Sequence, residues 1–550
     1  MMFTTKKRII ASLVTGICFT FLTYYITLPA LSVFSVGFWF YLTFSILAFA
    51  WPFLIPAKGA VKIKRKNGQF AGVSFEKGKG GLTVKILAAV CAAPLVFCLL
   101  AGLFTSTTLF YAKQYASVIT VEEADFATDM PETTEVSNIA LMDTESAIII
   151  GNRTLGALSG VVSQYVISPA YTQINYADTP RKVSPLEYSD FFKWMNNKKS
   201  GIPGYVMVDP VNSGAEYMPL DEPLYYAESA YFGKDLTRAL RFSYPTKIFG
   251  SISFEINEEG KPYYVVACMK PQVGLFGAMD VSEVILFDPH DGSSEIMDVE
   301  KTPSWVDIVY TGYLASEKYN WQGTLSGGFF NSIIGNVGCK QTTDDFGYIV
   351  RDDDVWYFTG VTSVTADESN IGFILSNART GAYKFYSVIG AEEYSAMGSA
   401  QGKVQEKGYT ASFPSLINVS GEATYIMVLK DENGIVRLYA LVNVENFSIV
   451  ATGETQREAM TAYRNQLAAA GSGNASEEQT TVTVTDLQIV TMSDGPTVYL
   501  TAEDGTVYKG YLETDEALIR VRIGDRIQVS YTETGVDGLY RILKWSFVTE

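Results

Sequence analysis

Hydrophobic positions along the chain fall into two regimes. Through residue 110 they form long unbroken runs; beyond it they form short runs that alternate with polar positions or recur every three or four residues. Residues 9–28 and 31–55 are uncharged, apolar and rich in Phe, Tyr and Trp, and 86–110 is a third such run. At about 1.5 Å per residue each is long enough to cross roughly 30 Å of hydrocarbon as a helix. Pro29 cannot donate a backbone hydrogen bond, so it predicts the turn of a helical hairpin at the membrane surface. The pattern therefore predicts a membrane anchor over 1–112 with three transmembrane helices and a loop at 56–85.

After the anchor comes a polar stretch, 113–138, whose acids and lone proline (VEEADFATDMPETTEV) predict a solvated stalk. The pattern then becomes mainly strand-like. Three segments read alike: GYVMVDPVNSGAEYMPL from Gly204, SEVILFDPHDGSSEIMDV from Ser282 and IGFILSNARTGAYKFYSV from Ile371. Each is an apolar run, a turn of Asp/Asn, Pro and Gly type, and a second run, which is the pattern of a β-hairpin. Aligning Asp209, Asp288 and Asn377 puts the copies 79 and 89 residues apart, a domain-scale duplication rather than a solenoid repeat.

From Gly390 the periodicity changes. Tyr394, Met397, Gln401 and Val404 share one face of a predicted helix over 391–407, with Glu392 and Glu393 in its first turn and Gly408 past its end. Strands are predicted at 415–419, 424–429, 435–442 and 447–451, then a helix over 455–467 and a small-residue linker at 471–479. An earlier copy, about 225–300, carries a short helix near 234–240, a strand at 248–256, the turn NEEG and a strand at 262–269 before its hairpin. Residues 480–550 contain five alternating runs punctuated by SDGP, EDG and IGD, which fit a small OB-like β-barrel. The predicted fold class is α+β: three transmembrane helices, tandem antiparallel sheet and helix modules over 139–389 and 390–470, and a C-terminal barrel.

Charge orients this arrangement. Residues 1–110 hold eleven basic side chains and one acid, Glu76, whereas the whole chain carries 42 basic and 59 acidic groups and a net charge of −17, leaving −27 beyond residue 110. Lys6, Lys7 and Arg8 precede the first run, and eight more basic residues fill the loop between the second and third. By the positive-inside rule both clusters are cytoplasmic, so the amino terminus is inside and the large acidic region is extracytoplasmic. The alternative, a cleaved signal peptide over the first run, is disfavoured because a run of that length leads straight into a second span. In the barrel, residues 477–550 carry six basic and thirteen acidic groups, so the phosphate attraction that dominates nucleic-acid binding is missing.

Helix, then GEATYIMVLKDENGIVRLYALVNV, then FSIVATG resembles the PepSY-type module, and GKPYYVVACMK followed by VILFDPHDG is similar. More broadly, YTQINYADTPRKVSPLEY, FFKWMNNKKSGIPGYVMVDP and GYTASFPSLINV resemble a group of uncharacterised membrane proteins of Firmicutes over about residues 140–470. That resemblance transfers no catalytic residues. The likeness to PepSY-type modules implies binding or inhibition of envelope proteases and envelope regulation. The copies depart from one another in length, and NWQGTLSGGFFNSIIGNVG interrupts the middle one.

Candidate chemistry is sparse. No HExxH, GxSxG or GxxxxGK[ST] pattern occurs, and one histidine in 550 residues leaves Ser/His and Cys/His mechanisms almost nothing to use. That residue, His290, aligns with Val211 and Arg379 in the other hairpins, so it reads as an exposed turn residue. Arg351-Asp352-Asp353-Asp354 reads as a hairpin turn between two apolar runs. Cys268 and Cys339 lack metal spacing and read as buried free thiols, with a disulfide as the alternative. No cofactor or metal is expected. Aromatic segments offer a partner-binding surface at Tyr225, Tyr226, Tyr231, Phe232, Phe329 and Phe330. Two readings follow: a non-enzymatic, membrane-anchored envelope protein that binds a protein partner, or an envelope hydrolase using paired carboxylates. Two carboxylates with raised pKa in a closed pocket would favour the second.

Overall fold

The computed structural model describes residues 5–54, 61–66, 69–75, 81–133, 139–470, 478–492, 495–512, 515–536 and 538–548. Lys58, Lys77 and Lys79 of the basic loop, and 471–477 of the expected linker, lie outside them. The protein is α+β, and its first three helices are each long and apolar enough to cross a membrane. They are α1 (Thr5–Thr27), α2 (Val36–Leu54) and α3 (Gly81–Thr105). The third apolar run does not continue to residue 110. It stops at Thr105, and α4 (Thr108–Ala116) begins afresh with Thr107 as its cap. The hydroxyls of Thr105 and Ser106 are engaged by backbone N–H groups of residues 275 and 276, which fixes the break. Between α2 and α3, Val61–Lys66 and Gln69–Phe75 pair as an antiparallel hairpin.

The chain divides into two compact units. Residues 1–122, 144–367 and 374–384 form the first, and 123–143, 368–373 and 385–550 the second. In unit 1 the globular part is built from antiparallel sheets. Strands 248–256, 262–273, 277–287 and 294–298 form a meander in which each neighbour in sequence is a neighbour in the sheet. Its buried face carries Val265, Ala267, Val281 and Val284, which pack on Val306, Val309 and Tyr310. Helices α5 (Thr144–Gly156), α6 (Phe191–Asn197), α7 (Leu236–Ser243) and α8 (Gly312–Leu325) complete it. Inside it, Lys318 of α8 pairs with Asp280 at 2.8 Å, and burial pulls the Lys318 ammonium pKa down against that partner.

The three hairpins aligned in the sequence share one device. Asp209 Oδ1 accepts from the N–H of Val211, Asp288 Oδ1 from that of His290, and Asn377 Oδ1 from that of Arg379, each at 2.8–2.9 Å. A carboxylate or amide that bonds two residues on closes the turn without requiring glycine there. The RDDD hairpin uses a different solution: Asp352 and Asp353 both adopt positive φ, +52° and +66°, between the paired residues Arg351 and Asp354.

In unit 2, α9 (Glu393–Lys403) starts on the Glu392 cap and its last turn gives way to Gly408 at φ +64°. Strands 415–419, 422–430, 436–443 and 450–453 follow, and α10 (Gln456–Ala470) lays Met460, Tyr463 and Leu467 on their buried face. The segment expected as a solvated stalk belongs to this unit from residue 123 onward. Phe126 and Met130 are buried, and Asn418 Nδ2 donates to the Met130 carbonyl at 2.8 Å. Its two apolar side chains, spaced four apart on a single helical turn, outweighed the acids around them. The C-terminal part is a closed five-stranded barrel, with 507–509 parallel to 539–541 and a core of Val484, Val498, Leu500, Ile527 and Val529.

Candidate functional site

A strand and a loop of unit 1 bring an acid pair together. Glu255 closes strand 248–256 and is wholly buried, and Asp307, on the loop before α8, is 1% exposed. Glu255 accepts three hydrogen bonds: from Ser253 Oγ at 2.6 Å and from the backbone N–H groups of Asp307 at 2.7 Å and Ile308 at 3.3 Å. Asp307 accepts from the backbone N–H of Asn175 at 2.8 Å. Removal from water raises both carboxyl pKa values, and the negative charge of Glu255 raises that of Asp307 further. With three donors against one, Glu255 is the better-stabilised anion, and a proton is held more readily on Asp307.

Next to this pair lies an ion node. Arg379 holds Asp354 through two nitrogens at 2.6 and 2.8 Å, and Asn377 Nδ2 donates to the same carboxylate at 2.8 Å. The third hairpin thus places at the position aligned with His290 an arginine whose work is to neutralise Asp354. Asn175 Nδ2 donates to Asp353 at 2.6 Å, which ties the RDDD turn to the strand that serves Asp307. Spacing along the chain could not predict this cluster, since its members span residues 175 to 379.

Ser253 and Ile308 separate the acid pair from a cavity of about 240 Å³. Tyr313, Phe346, Tyr348 and Tyr357 form one wall, with ring centroids 5.1–5.9 Å apart and rings mostly edge to face. The approach depends on Gly312, where a Cβ would lie 2.5 Å from the Phe346 ring. Glu187 and Glu228 stand on the lining, whereas no Lys, Arg or His does. Burial and the charge of Glu228 raise the Glu187 pKa, with burial the larger cause. From another side Lys182 Nζ lies 5.3 Å from the Tyr348 ring centroid, so that ring already supports a cation.

His290 is not an exposed turn residue. It is half-buried, its Nδ1 lies 2.8 Å from the Pro223 carbonyl, and its ring centroid lies 5.6 Å from that of Tyr225, the two rings tilted by 49°. It lines a cleft of about 350 Å³ together with Lys261 and Asp288, which pair at 2.7 Å, and with Glu222 and Glu259. The corner was legible as a turn; the carbonyl that takes its ring comes from a segment 67 residues away.

The six aromatic candidates occupy three places. Tyr225 and Tyr226 donate their backbone N–H groups to the Pro289 carbonyl, and Lys234 sits 3.8 Å over the Tyr226 ring. They brace the DPHDG turn. Tyr231 and Phe232 join Phe191 and Trp194 in a ring cluster beside α6. Phe329 packs near Leu325, and Phe330 is 70% exposed where it caps the π-helical turn Asn331–Gly335 after α8. Cys268 and Cys339 are both buried and unbonded to each other.

Comparison with known proteins finds no matching family model and no matching curated protein. Among solved structures, a glycine-for-aspartate variant of an ACO/RPE65 chimera shares 9% identity over 53% of this chain and 49% of its own, with a TM-score of 0.13. This chain thus spans about half of that one. An alanine-for-aspartate mutant of the Bombyx mori GH32 β-fructofuranosidase in complex with sucrose shares 9% identity over 72% of this chain and 93% of its own, with a TM-score of 0.18. Likeness this slight carries no inference about fold or activity. The class defined here is that of an α+β protein on a three-helix apolar anchor.

Proposed function

We propose that this is a membrane-anchored envelope protein whose large acidic region is extracytoplasmic and acts by binding rather than by catalysis. The modules at 225–300 and 390–470 are read as PepSY-like and the barrel as OB-like. Strand order and the parallel contact between its third and fifth strands support the latter reading. One observation carries the preference for binding. The two most deeply buried acids of the cluster are sealed and committed to backbone N–H groups, so neither faces a space a substrate could enter.

The neighbouring aromatic cavity is the binding site in this reading. Tyrosine faces attract cations, and Glu187 and Glu228 add negative charge without a basic residue on the lining to cancel it. The ligand class is a primary or quaternary ammonium, such as a lysine side chain or amino terminus of an envelope protein partner. Tetramethylammonium and lysine amide should each raise the thermal midpoint of the full chain in nanodiscs, and Tyr348→Ala with Glu187→Gln should abolish the shift. Absence of any shift at millimolar ligand, or an equal shift in the double variant, would refute this assignment.

Sidedness has its own test. An epitope at Glu550 should be cut by protease added to right-side-out vesicles. Protection until lysis would place the region in the cytoplasm and sink the envelope reading.

A further inference from the structure

The two remaining aromatic patches are explained by where the anchor helices end. Connectivity puts the α1–α2 turn and the end of α3 at one face of the membrane, and unit 1 grips both. At the first, Arg241 of α7 is buried and donates Nε–H to the Leu28 carbonyl at 3.0 Å, while Leu31 N–H donates to Pro245 at 2.7 Å. At the second, the 273–277 hairpin tip sits on Thr105 and Ser106.

Exposed apolar side chains flank each grip. Beside α1, Phe242 is 53% exposed and contacts Tyr24 and Tyr25 in the last turns of the helix. Arg238 lies 4.4 Å over Tyr25 and donates to the Phe232 carbonyl at 2.8 Å, which brings the Phe191/Trp194/Phe232 cluster and Phe192, 73% exposed, to the same helix end. Phe232 takes φ +57°, a backbone state that an aromatic residue rarely adopts.

Beside α3, α4 folds back so that Phe110 stacks on Phe104 and Tyr111 Oη–H donates to the Phe104 carbonyl at 3.1 Å. Tyr111 and Phe329 both pack on the cluster formed by Ala112, Tyr115 and Leu325. From there the segment after α8, a π-helical turn over Asn331–Gly335, presents Phe330, Ile333, Ile334 and Val337 at 60–80% exposure. No charged residue occurs between Lys318 and Lys340. The segment is well defined, because Asn331 bonds Val337 through both its amide nitrogen and its oxygen just past the π-helical turn.

We infer that these two patches are feet that dip into the interface of one leaflet, the first beside α1 and the second beside α3, so that unit 1 rests on the bilayer and does not stand clear of it. Contiguity with the spanning helices selects lipid as the occupant: each foot touches a side chain of a span's last turns or of the helix folded back on it. Aromatic and aliphatic groups without charge are the composition that partitions roughly 5–10 Å into the headgroup and acyl boundary. This inference does not depend on the ammonium site or on which side of the membrane unit 1 lies.

Spin labels at Phe192→Cys and Ile334→Cys, in a full-length background with Cys18, Cys91 and Cys98 replaced by alanine, test it in phosphatidylcholine and phosphatidylglycerol nanodiscs. Both labels should be relaxed by oxygen and protected from an aqueous nickel chelate, with an oxygen-to-nickel collision ratio severalfold above that of a label at the polar hairpin-turn position Asp178→Cys. A ratio equal to the Asp178→Cys control at either foot, or protection from both relaxants as under a protein partner, overturns the proposal. Phe232→Cys and Val337→Cys supply the same reading should either first variant fail to incorporate.

Discussion

Glu255→Gln should destabilise unit 1 by on the order of 2–4 kcal/mol, among the largest effects of any conservative change in the protein. The carboxylate receives Ser253 Oγ and two backbone N–H groups in a site without water access. An amide supplies only one acceptor oxygen, so its NH2 group must face a buried donor, and at least one N–H loses its partner. Asp307→Asn is the contrasting case. Asparagine keeps an acceptor for the Asn175 N–H and presents the neutral form that Asp307 already favours.

The pair also sets a pH dependence whose sign follows from its raised pKa values. The folded state keeps a proton on the pair where an unfolded chain, with carboxyls near about 4, has lost it. The folded state therefore binds more protons, and stability falls as pH rises. The contribution is fully present below the unfolded pKa and is lost as pH climbs through the raised folded value. Unfolding midpoints of the full chain in nanodiscs between pH 5 and pH 8 should decline, and Asp307→Asn should flatten the decline. An unchanged slope in Asp307→Asn would show that the proton resides elsewhere.

Gly274→Val should cost roughly 2–5 kcal/mol through two additive causes. Gly274 holds φ +58°, which a β-branched residue resists, and a Cβ there would lie 1.8 Å from the Thr105 carbonyl oxygen. The obstacle is the backbone at the end of a membrane helix, which cannot rotate away as a side chain would. The expected result is loss of the grip between the 273–277 tip and α3, read as faster hydrogen exchange at the N–H groups of Leu275 and Phe276. These two donate to Thr105 and Ser106 in the native protein. Gly505→Ala is the matched control: it also has positive φ, +87°, but a Cβ meets nothing within 4 Å, so it pays conformational strain alone.

Much of the architecture was written in local pattern. Long uncharged runs can only be buried in lipid or core, which made the anchor legible, and strict alternation fixed the barrel strands to within a few residues. The Asp209, Asp288 and Asn377 turns were legible because a side chain that bonds two residues ahead is a property of four or five consecutive residues. The end of α3 was not, since Thr105, Ser106 and the apolar residues after them are acceptable in a helix; the hairpin tip from 170 residues away breaks it. The stalk failed for the same reason: its composition says solvent, and Phe126 and Met130 are buried by distant partners, Phe126 against the Tyr386 ring and Met130 beside Asn418.

What the sequence determined by itself is the sorting of segments into lipid, strand, helix and turn, because each depends on spacing and polarity along a short length of chain. Only the tertiary structure decided which acids are buried side by side, which carbonyl meets the His290 nitrogen, and which aromatics lie beside the membrane helices. Those outcomes depend on desolvation and on contacts between residues scores of positions apart, and neither is encoded in the order of neighbours.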